Sequence, residues 1–322
     1  MSHYLRDAFF DGLNTLDTED LLQAIGEHIM VRGEWEPGVI SPSLTANECR
    51  LARLKIFLGD APQPGYNRIA VRAGAPDAIS QLNFIRGFCM EGAVVAAIRT
   101  ALGKDRLWGN APSLLFRWRY KGEDFLLNNW KSKGMVFAGH PDMMVWPEQM
   151  EMELVQIKTP SIFKFERVER MGKDEALRSY RAQMATELYI GRKMGYPIER
   201  NHLFMVTWEG TPKMKEPHCN IVTMEWDESM AMIPEEIGRE IVQDYDAAYT
   251  QGRWPAALPP HQASIFPCLY CRYPRHGSFD TIGCEEQGEW QRFEETGETR
   301  LTVEPPPAND PQIITRKRRL RK

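Results

Sequence analysis

Residues 139–142 read Gly139-His140-Pro141-Asp142, and after a turn a second strand-like run ends in Gln156-Ile157-Lys158-Thr159. In a strand, residues i and i+2 project from the same face. Gln156 and Lys158 therefore stand together, and a carboxylate at the bend of the neighbouring strand can converge on them. Asp142 can hold a divalent cation through hard oxygen, and Gln156 can add a carbonyl oxygen. Lys158 can orient a water or stabilise phosphorane-like charge. Together these groups suit metal-assisted phosphodiester cleavage. His140, beside Pro141, reads as a turn or packing residue rather than a ligand.

The elements that must position these residues alternate in type. Apolar spacing predicts helix over 4–30 with Thr18 as an N-cap, over 41–59 and over 79–98, the last running to the breaker Gly103. Strand-like runs follow at 113–120, 135–146 and 150–159, the second interrupted by Gly139 and Pro141. Helix returns over 171–194, stopped by Gly195 and Pro197. Short strands at 202–208 and 221–226 come next, then a helix over 233–251 whose start is marked by Pro234, Glu235 and Glu236. This order predicts an α/β fold, one mixed central sheet flanked by helices with a helical N-terminal part. The expected divisions are 1–75 (helical), 76–260 (core), 261–300 (Cys-rich) and 301–322 (basic tail).

The chain of 322 residues carries 43% hydrophobic and 26% charged side chains, which excludes disorder throughout. No run approaches the roughly 18 apolar residues of a membrane span, and residues 1–10 lack the order of a secretory signal, so a cytoplasmic protein with reduced thiols is expected. Of 40 Lys and Arg against 44 Asp and Glu, six of the basic residues fall in the RKRRLRK of 316–322, leaving 34 against 44 in the rest. A polyanion must therefore be met locally. The segment 163–181, with Lys164, Arg167, Arg170, Lys173, Arg178 and Arg181, follows the lysine strand directly. It reads either as a channel for phosphates or as a mixed-charge solvated helix. Trp118, Trp130, Trp146, Trp208, Trp226 and Trp254 read as packing before base stacking. No Gly-rich Lys-Ser/Thr loop is present, which argues against an ATP-driven motor.

Cys268-Leu-Tyr-Cys271 is a two-residue-spaced pair suited to clasp one metal centre, and Cys284 follows. One completion of this set is zinc held by Cys268, Cys271, His276 and Cys284, a tetrahedral Cys3His site. Cys89 and Cys219 read as ordinary packing or exposed residues.

Taken in order, these motifs resemble the PD-(D/E)xK nuclease superfamily and, within it, the RecB-like branch. The matched elements are Gly87 to Glu91 on a helix, Gly139 to Asp142, Gln156-x-Lys158-Thr159, and Gln183 in YRAQMATELY, covering about 80–195. The resemblance implies a restriction-endonuclease-like fold and a Mg2+- or Mn2+-dependent deoxyribonuclease. Glu91, Asp142 and Gln156 would surround the metal, Lys158 would position water, and Gln183 would support the site. Lys164, Arg167, Arg170, Arg178 and Arg181 would meet DNA. An exonuclease that processes ends in recombination, repair or phage replication is the role implied, with a recombination or replication protein as a further partner.

Two departures stand out. Most relatives have Asp or Glu where this chain has Gln156, which leaves open a non-catalytic DNA-binding or interaction protein that has lost a metal ligand. Glu151 and Glu153 have the wrong parity to replace it unless a bulge intervenes. Gln183 is followed four residues later by Glu187, where many relatives show tyrosine, with Tyr189 two further on.

AddB-type and CRISPR-adaptation nucleases, together with phage-encoded relatives, extend the resemblance to the cysteines. Their pattern implies that Cys49, after Ser41-Pro42-Ser43, joins Cys268, Cys271 and Cys284 around a [4Fe-4S] cluster. Such a protein is brown when purified without oxygen, with about four irons per chain, and Cys49→Ser bleaches it. A colourless protein that holds one zinc and keeps it after Cys49→Ser is the outcome that excludes the cluster.

Overall fold

The computed structural model describes residues 3–30, 38–58, 78–109, 118–122, 135–139, 141–147, 151–178, 180–207, 217–251 and 255. Along the chain come α1 (His3–Thr15), α2 (Thr18–Met30), β1 (Val39–Ile40), α3 (Pro42–Thr45), α4 (Arg50–Leu58) and α5 (Ala78–Leu102). The strands β2 (Leu107–Gly109), β3 (Trp118–Lys121), β4 (Val136–Gly139), β5 (Met143–Val145) and β6 (Met152–Lys158) follow. Then come α6 (Ile162–Met171), α7 (Lys173–Arg178), α8 (Arg181–Lys193), β7 (Ile198–Thr207), β8 (His218–Glu225) and α9 (Ser229–Gln251).

The mixed α/β architecture expected from the sequence is present, with its strands in two mixed sheets instead of one, flanked by helices. The larger has the order β2-β5-β6-β7-β8 and the smaller β1-β4-β3. Their separation lies in the interrupted run 135–146: the part before the break joins the small sheet and the part after it joins the large one. Gly139 is required at this bend, because a Cβ there would lie 2.5 Å from Pro42 Cδ.

β6 is the middle strand of the large sheet, antiparallel to β5 and parallel to β7. Its residues from Met152 to Ile157 are buried whichever way they point, as expected for a strand covered on both sides. On one face Val155 and Ile157 join Met143, Val145, Phe204 and Val206 under α1 and α5, through Leu5, Phe9, Val94 and Ile98. On the other face Leu154 joins Met144, Leu203 and Met205 beneath Phe165, Met184, Leu188 and Ile241. The small sheet shares this second core through Ile40, Trp118 and Phe137.

Local chemistry shifts several boundaries. Asp17, not Thr18, caps α2, its Oδ1 accepting the Asp20 N–H at 2.8 Å. The helix read over 171–194 forms as two pieces, α7 and α8, and an unanticipated α6 precedes them, starting right after Ser161 and ended by Gly172 at φ +80°. α9 starts at Ser229 with Asp227 Oδ1 accepting the Ser229 N–H at 2.6 Å, so Pro234 lies inside the helix and does not open it. β2 was not anticipated, because three residues are too few to show a period. Of the strand expected over 113–120, residues 113–117 lie outside the described residues. So do the Cys-rich and basic segments 261–300 and 301–322.

Glu153 faces away from Lys158 and pins β6 from behind. Its carboxylate accepts from Tyr4 Oη at 2.6 Å and Arg200 Nη1 at 2.6 Å, and lies 2.9 Å from His202 Nε2. The register shift between Met152 and Glu153 does not bring it round, so the parity argument against Glu153 holds. Burial alone would raise this carboxyl, but the hydrogen bonds from His202, Tyr4 and Arg200 outweigh it and hold it at about 2, below its ordinary 4.5. A depressed carboxyl contributes stability that is complete above the unfolded value and is lost as the pH falls through the folded one. The window is thus roughly pH 4.5 to 2, and the shift corresponds to about 3 kcal/mol. Acid titration of unfolding free energy should show this loss in the native chain and a flatter profile in Glu153→Gln. Tyr4→Phe should cost about 2 kcal/mol at neutral pH, as expected for a hydrogen bond to a charged acceptor.

Candidate functional site

At the carboxyl end of β6, three elements bring polar side chains together on the Leu154 face of the sheet. Asp142 immediately precedes β5, and its Oδ2 accepts the main-chain N–H of Ile157 at 2.7 Å and the Nε2–H of Gln156. Lys158 Nζ stands 4.0 Å from the same oxygen. The side chains of Asp142 and Lys158 are 14% and 25% exposed, so both reach the surface, whereas Gln156 is 1% exposed. Gln156 Oε1 is buried and has no hydrogen-bond partner.

α5 and α8 supply more acid than β5 and β6 do. Gly87 of α5 passes beside Thr159, 3.7 Å separating a Cβ built there from Thr159 Oγ1, and Glu91 lies one turn further along. Glu187 of α8 is 1% exposed, within a run from Met184 to Gly191 that is buried throughout. Asn201 Nδ2 donates to Glu187 Oε2 at 2.8 Å, and Gln183 Nε2 makes a longer contact to its Oε1 at 3.4 Å. Asn201 also donates to Met184 O at 3.2 Å, which ties β7 to α8 beneath the site.

The electrostatics are those of crowded acid. Burial pushes the Asp142 carboxyl well above the ordinary range, and the Glu91 charge pushes it further. Lys158 opposes, Glu187 adds to the rise, and the Ile157 N–H opposes again. Burial likewise raises Glu187 to about 7, against the pull of Asn201, Lys158 and Gln183. Like charges in a low dielectric disfavour one another's ionised forms. Lys158 is the cation that opposes both shifts.

The donor set fits a hard divalent cation on two observations. It offers carboxylate and amide oxygens only, and one of these, Gln156 Oε1, is buried without a partner. Among the described residues no three His, Cys, Asp or Glu side chains are grouped closely enough to hold a metal by themselves. Mg2+ commonly takes one or two carboxylates and completes its octahedron with water and substrate phosphate.

The segment 41–45 buttresses the site from behind. Ser41 caps α3 by accepting the Leu44 N–H at 3.2 Å, and Pro42 packs on Gly139. Thr45 Oγ1 lies 2.9 Å from Thr186 Oγ1 on α8. Cys49 follows, 7% exposed and packed in the core with Leu44, Leu51 and Leu54. Cys268, Cys271, His276, Cys284 and His140 lie outside the described residues.

The basic residues after β6 differ in what they contact. Lys164 Nζ donates to Tyr180 Oη at 2.8 Å, and the Lys164 and Lys158 ammonium groups lie 4.5 and 5.8 Å from the Tyr180 ring centroid. Arg167 and Arg178 both pair with Glu175, at 2.8 and 3.0 Å, so two of the bases of this expected cationic surface are compensated locally. Arg170 is exposed on α6 and turns its Nε to Glu166 O, and Arg181 is exposed at the start of α8. Reading the sequence missed Asn201 and the role of Tyr180, and it registered Glu187 only as a departure. The available signals were the parity of Asn201 with Leu203 and Met205, and a lone acid within an otherwise uncharged stretch of α8.

No family model matches the chain, and no curated protein matches it by sequence. Among solved structures it is similar to SSO0001 at 13% identity and a TM-score of 0.38, over 70% of this chain and 84% of that one. It is also similar to an alkaline exonuclease, LHK-Exo, from Laribacter hongkongensis, at 13% identity and a TM-score of 0.29, over 71% and 95%. Likenesses this weak carry no functional argument. Among the described residues no helix is long and apolar enough to cross a membrane.

Proposed function

We propose that the chain is a divalent-metal-dependent deoxyribonuclease of the PD-(D/E)xK type, an exonuclease that processes DNA ends in recombination, repair or phage replication. The observation that carries this reading is the Asp142 carboxylate held between Gln156 and Lys158 at a strand end, with Glu91 and Glu187 acting on it and one lysine opposing them. Asp142, Gln156 and Glu91 would hold Mg2+ or Mn2+, which would supply Lewis acidity at the scissile phosphate.

The chain's own groups account for the rest. Lys158, part-exposed beside Asp142, places its ammonium where it can orient a water and meet charge developing on the phosphoryl oxygens. The water oxygen bonds to phosphorus and gives up one proton to solvent as one P–O ester bond breaks, and the departing oxygen takes up a proton from solvent. Gln183, one turn before Glu187 on α8, would help to orient the Glu187 carboxylate. Lys164 and Tyr180, next to Lys158, with the exposed Arg170 and Arg181, would meet the flanking phosphates. The buried Cys49 would join Cys268, Cys271 and Cys284 in an iron-sulfur clasp.

A DNA-binding protein without cleavage is the second reading, and Gln156 favours it: its amide, where relatives carry a charge, donates to Asp142. Cleavage of labelled DNA with Mn2+ separates the two. Lys158→Ala and Asp142→Ala should each lower the rate by about 10²-fold or more, the scale of losing one group that stabilises the transition state. DNA binding by fluorescence anisotropy should stay largely intact in Lys158→Ala. Gln156→Glu should raise both Mn2+ affinity and rate. Cleavage that survives Lys158→Ala contradicts the assignment, and a native chain that binds DNA but never cuts it establishes the second reading.

A further inference from the structure

We infer that Glu187 on α8 supplies the cation-binding carboxylate that Gln156 lacks, so that the acid the lysine strand does not provide comes from α8. This rests on the reading of the site as a divalent-metal site.

The position of Glu187 is costly unless a charge partner is available. Every residue of α8 from Met184 to Gly191 is buried, and Glu187 is 1% exposed. A carboxylate withdrawn from water to that degree loses several kcal/mol of hydration unless it is paired. The groups that hydrogen-bond it are neutral amides, Asn201 at 2.8 Å and Gln183 at 3.4 Å. They donate to its two oxygens, which suits a carboxylate, but neither brings the positive charge that a buried carboxylate requires. A cation shared with Asp142 does.

Gln156 provides an independent observation. Its amide nitrogen donates to Asp142, so its oxygen, on the same planar group, lies in the Asp142 neighbourhood as well. That oxygen is buried and unpartnered, in a side chain 1% exposed. An orphaned acceptor of this kind needs a donor or a cation. Asn201, which donates to Glu187, pairs in register with Leu154, two positions before Gln156 on the same face of the sheet, so Glu187 meets the face that carries Gln156 and Lys158, and its charge acts on Asp142. The Asp142 and Glu187 carboxylates and the Gln156 oxygen thus lie on one face of the sheet with the Lys158 ammonium. Glu187 keeps the carboxylate count of the site while freeing position 156 to be neutral, and Asn201 and Gln183 act as the groups that orient its two oxygens.

The test is Mn2+ binding to the full-length protein, followed by electron paramagnetic resonance of free Mn2+ without DNA. It compares the native chain with Asp142→Asn, Glu187→Gln and the double variant Glu187→Gln/Gln156→Glu. Glu187→Gln should weaken Mn2+ binding by about tenfold or more, the effect expected for loss of a ligand or its close support. The double variant should bind within about threefold of the native chain, because the carboxylate is returned at position 156. Rescue separates a ligand from a merely structural residue, since Gln156→Glu cannot repair a packing defect in α8. If Glu187→Gln does not fold, as judged by circular dichroism, Glu187→Asp takes its place: weakened binding supports the inference and unchanged binding overturns it. Loss of affinity in Asp142→Asn with none in Glu187→Gln overturns the role of Glu187 alone. A native chain that binds no Mn2+, or binds it equally after Asp142→Asn, removes the metal site itself.

Discussion

One oxygen atom, Oδ2 of Asp142, receives the main-chain N–H of Ile157, the amide of Gln156 and the approach of Lys158. This convergence ties the bend before β5 to the last residues of β6. It extends the pairing of β5 with β6, whose register begins at Met143 and Val155. It also gathers the charge that dominates the site, since Glu91 and Glu187 act on the same carboxyl from two helices on different sides of the sheet. A globular fold tolerates such crowding where function returns something for it, and an excess of hard oxygen around one ammonium is what a divalent cation would relieve.

The rest of the molecule holds this arrangement from outside. Behind β6 the carboxylate of Glu153 is saturated by Tyr4, Arg200 and His202, which fixes the strand against α1 and leaves it no part in the site. On the other side the segment 41–45 wedges Pro42 against Gly139 and Thr45 against Thr186. The bend that presents Asp142 and the helix that presents Glu187 therefore share one support. Glu153 and Gln156 of β6 thus differ through parity: one face of the strand builds a structural ion network and the other faces the site.

What the sequence made legible follows from period. Gln156 and Lys158 share a face because they are two apart, and Gly139 and Pro141 marked the bend that carries Asp142. The helix bearing Gly87 and Glu91 was visible as a long apolar pattern. What stayed hidden depended on contacts remote in sequence. Nothing local shows that the run 135–146 would divide between two sheets, since that follows from Pro42, about a hundred positions earlier, packing on Gly139. Glu187 read as a substituted tyrosine because its burial depends on Asn201 from the following strand. The pairing of Arg167 and Arg178 with Glu175 was equally hidden, because Gly172 folds α6 back toward α7 and so brings an acid between two bases.

The central claim is that a divalent cation sits among the oxygens of Asp142, Gln156 and the neighbouring helices. Anomalous diffraction from crystals of the protein grown with Mn2+ tests it most directly. A single strong Mn2+ peak about 2.1 Å from a carboxylate oxygen of Asp142 is the expected result. Mn2+ found only at surface carboxylates, with Asp142 still bound solely to Ile157, Gln156 and Lys158, would contradict it.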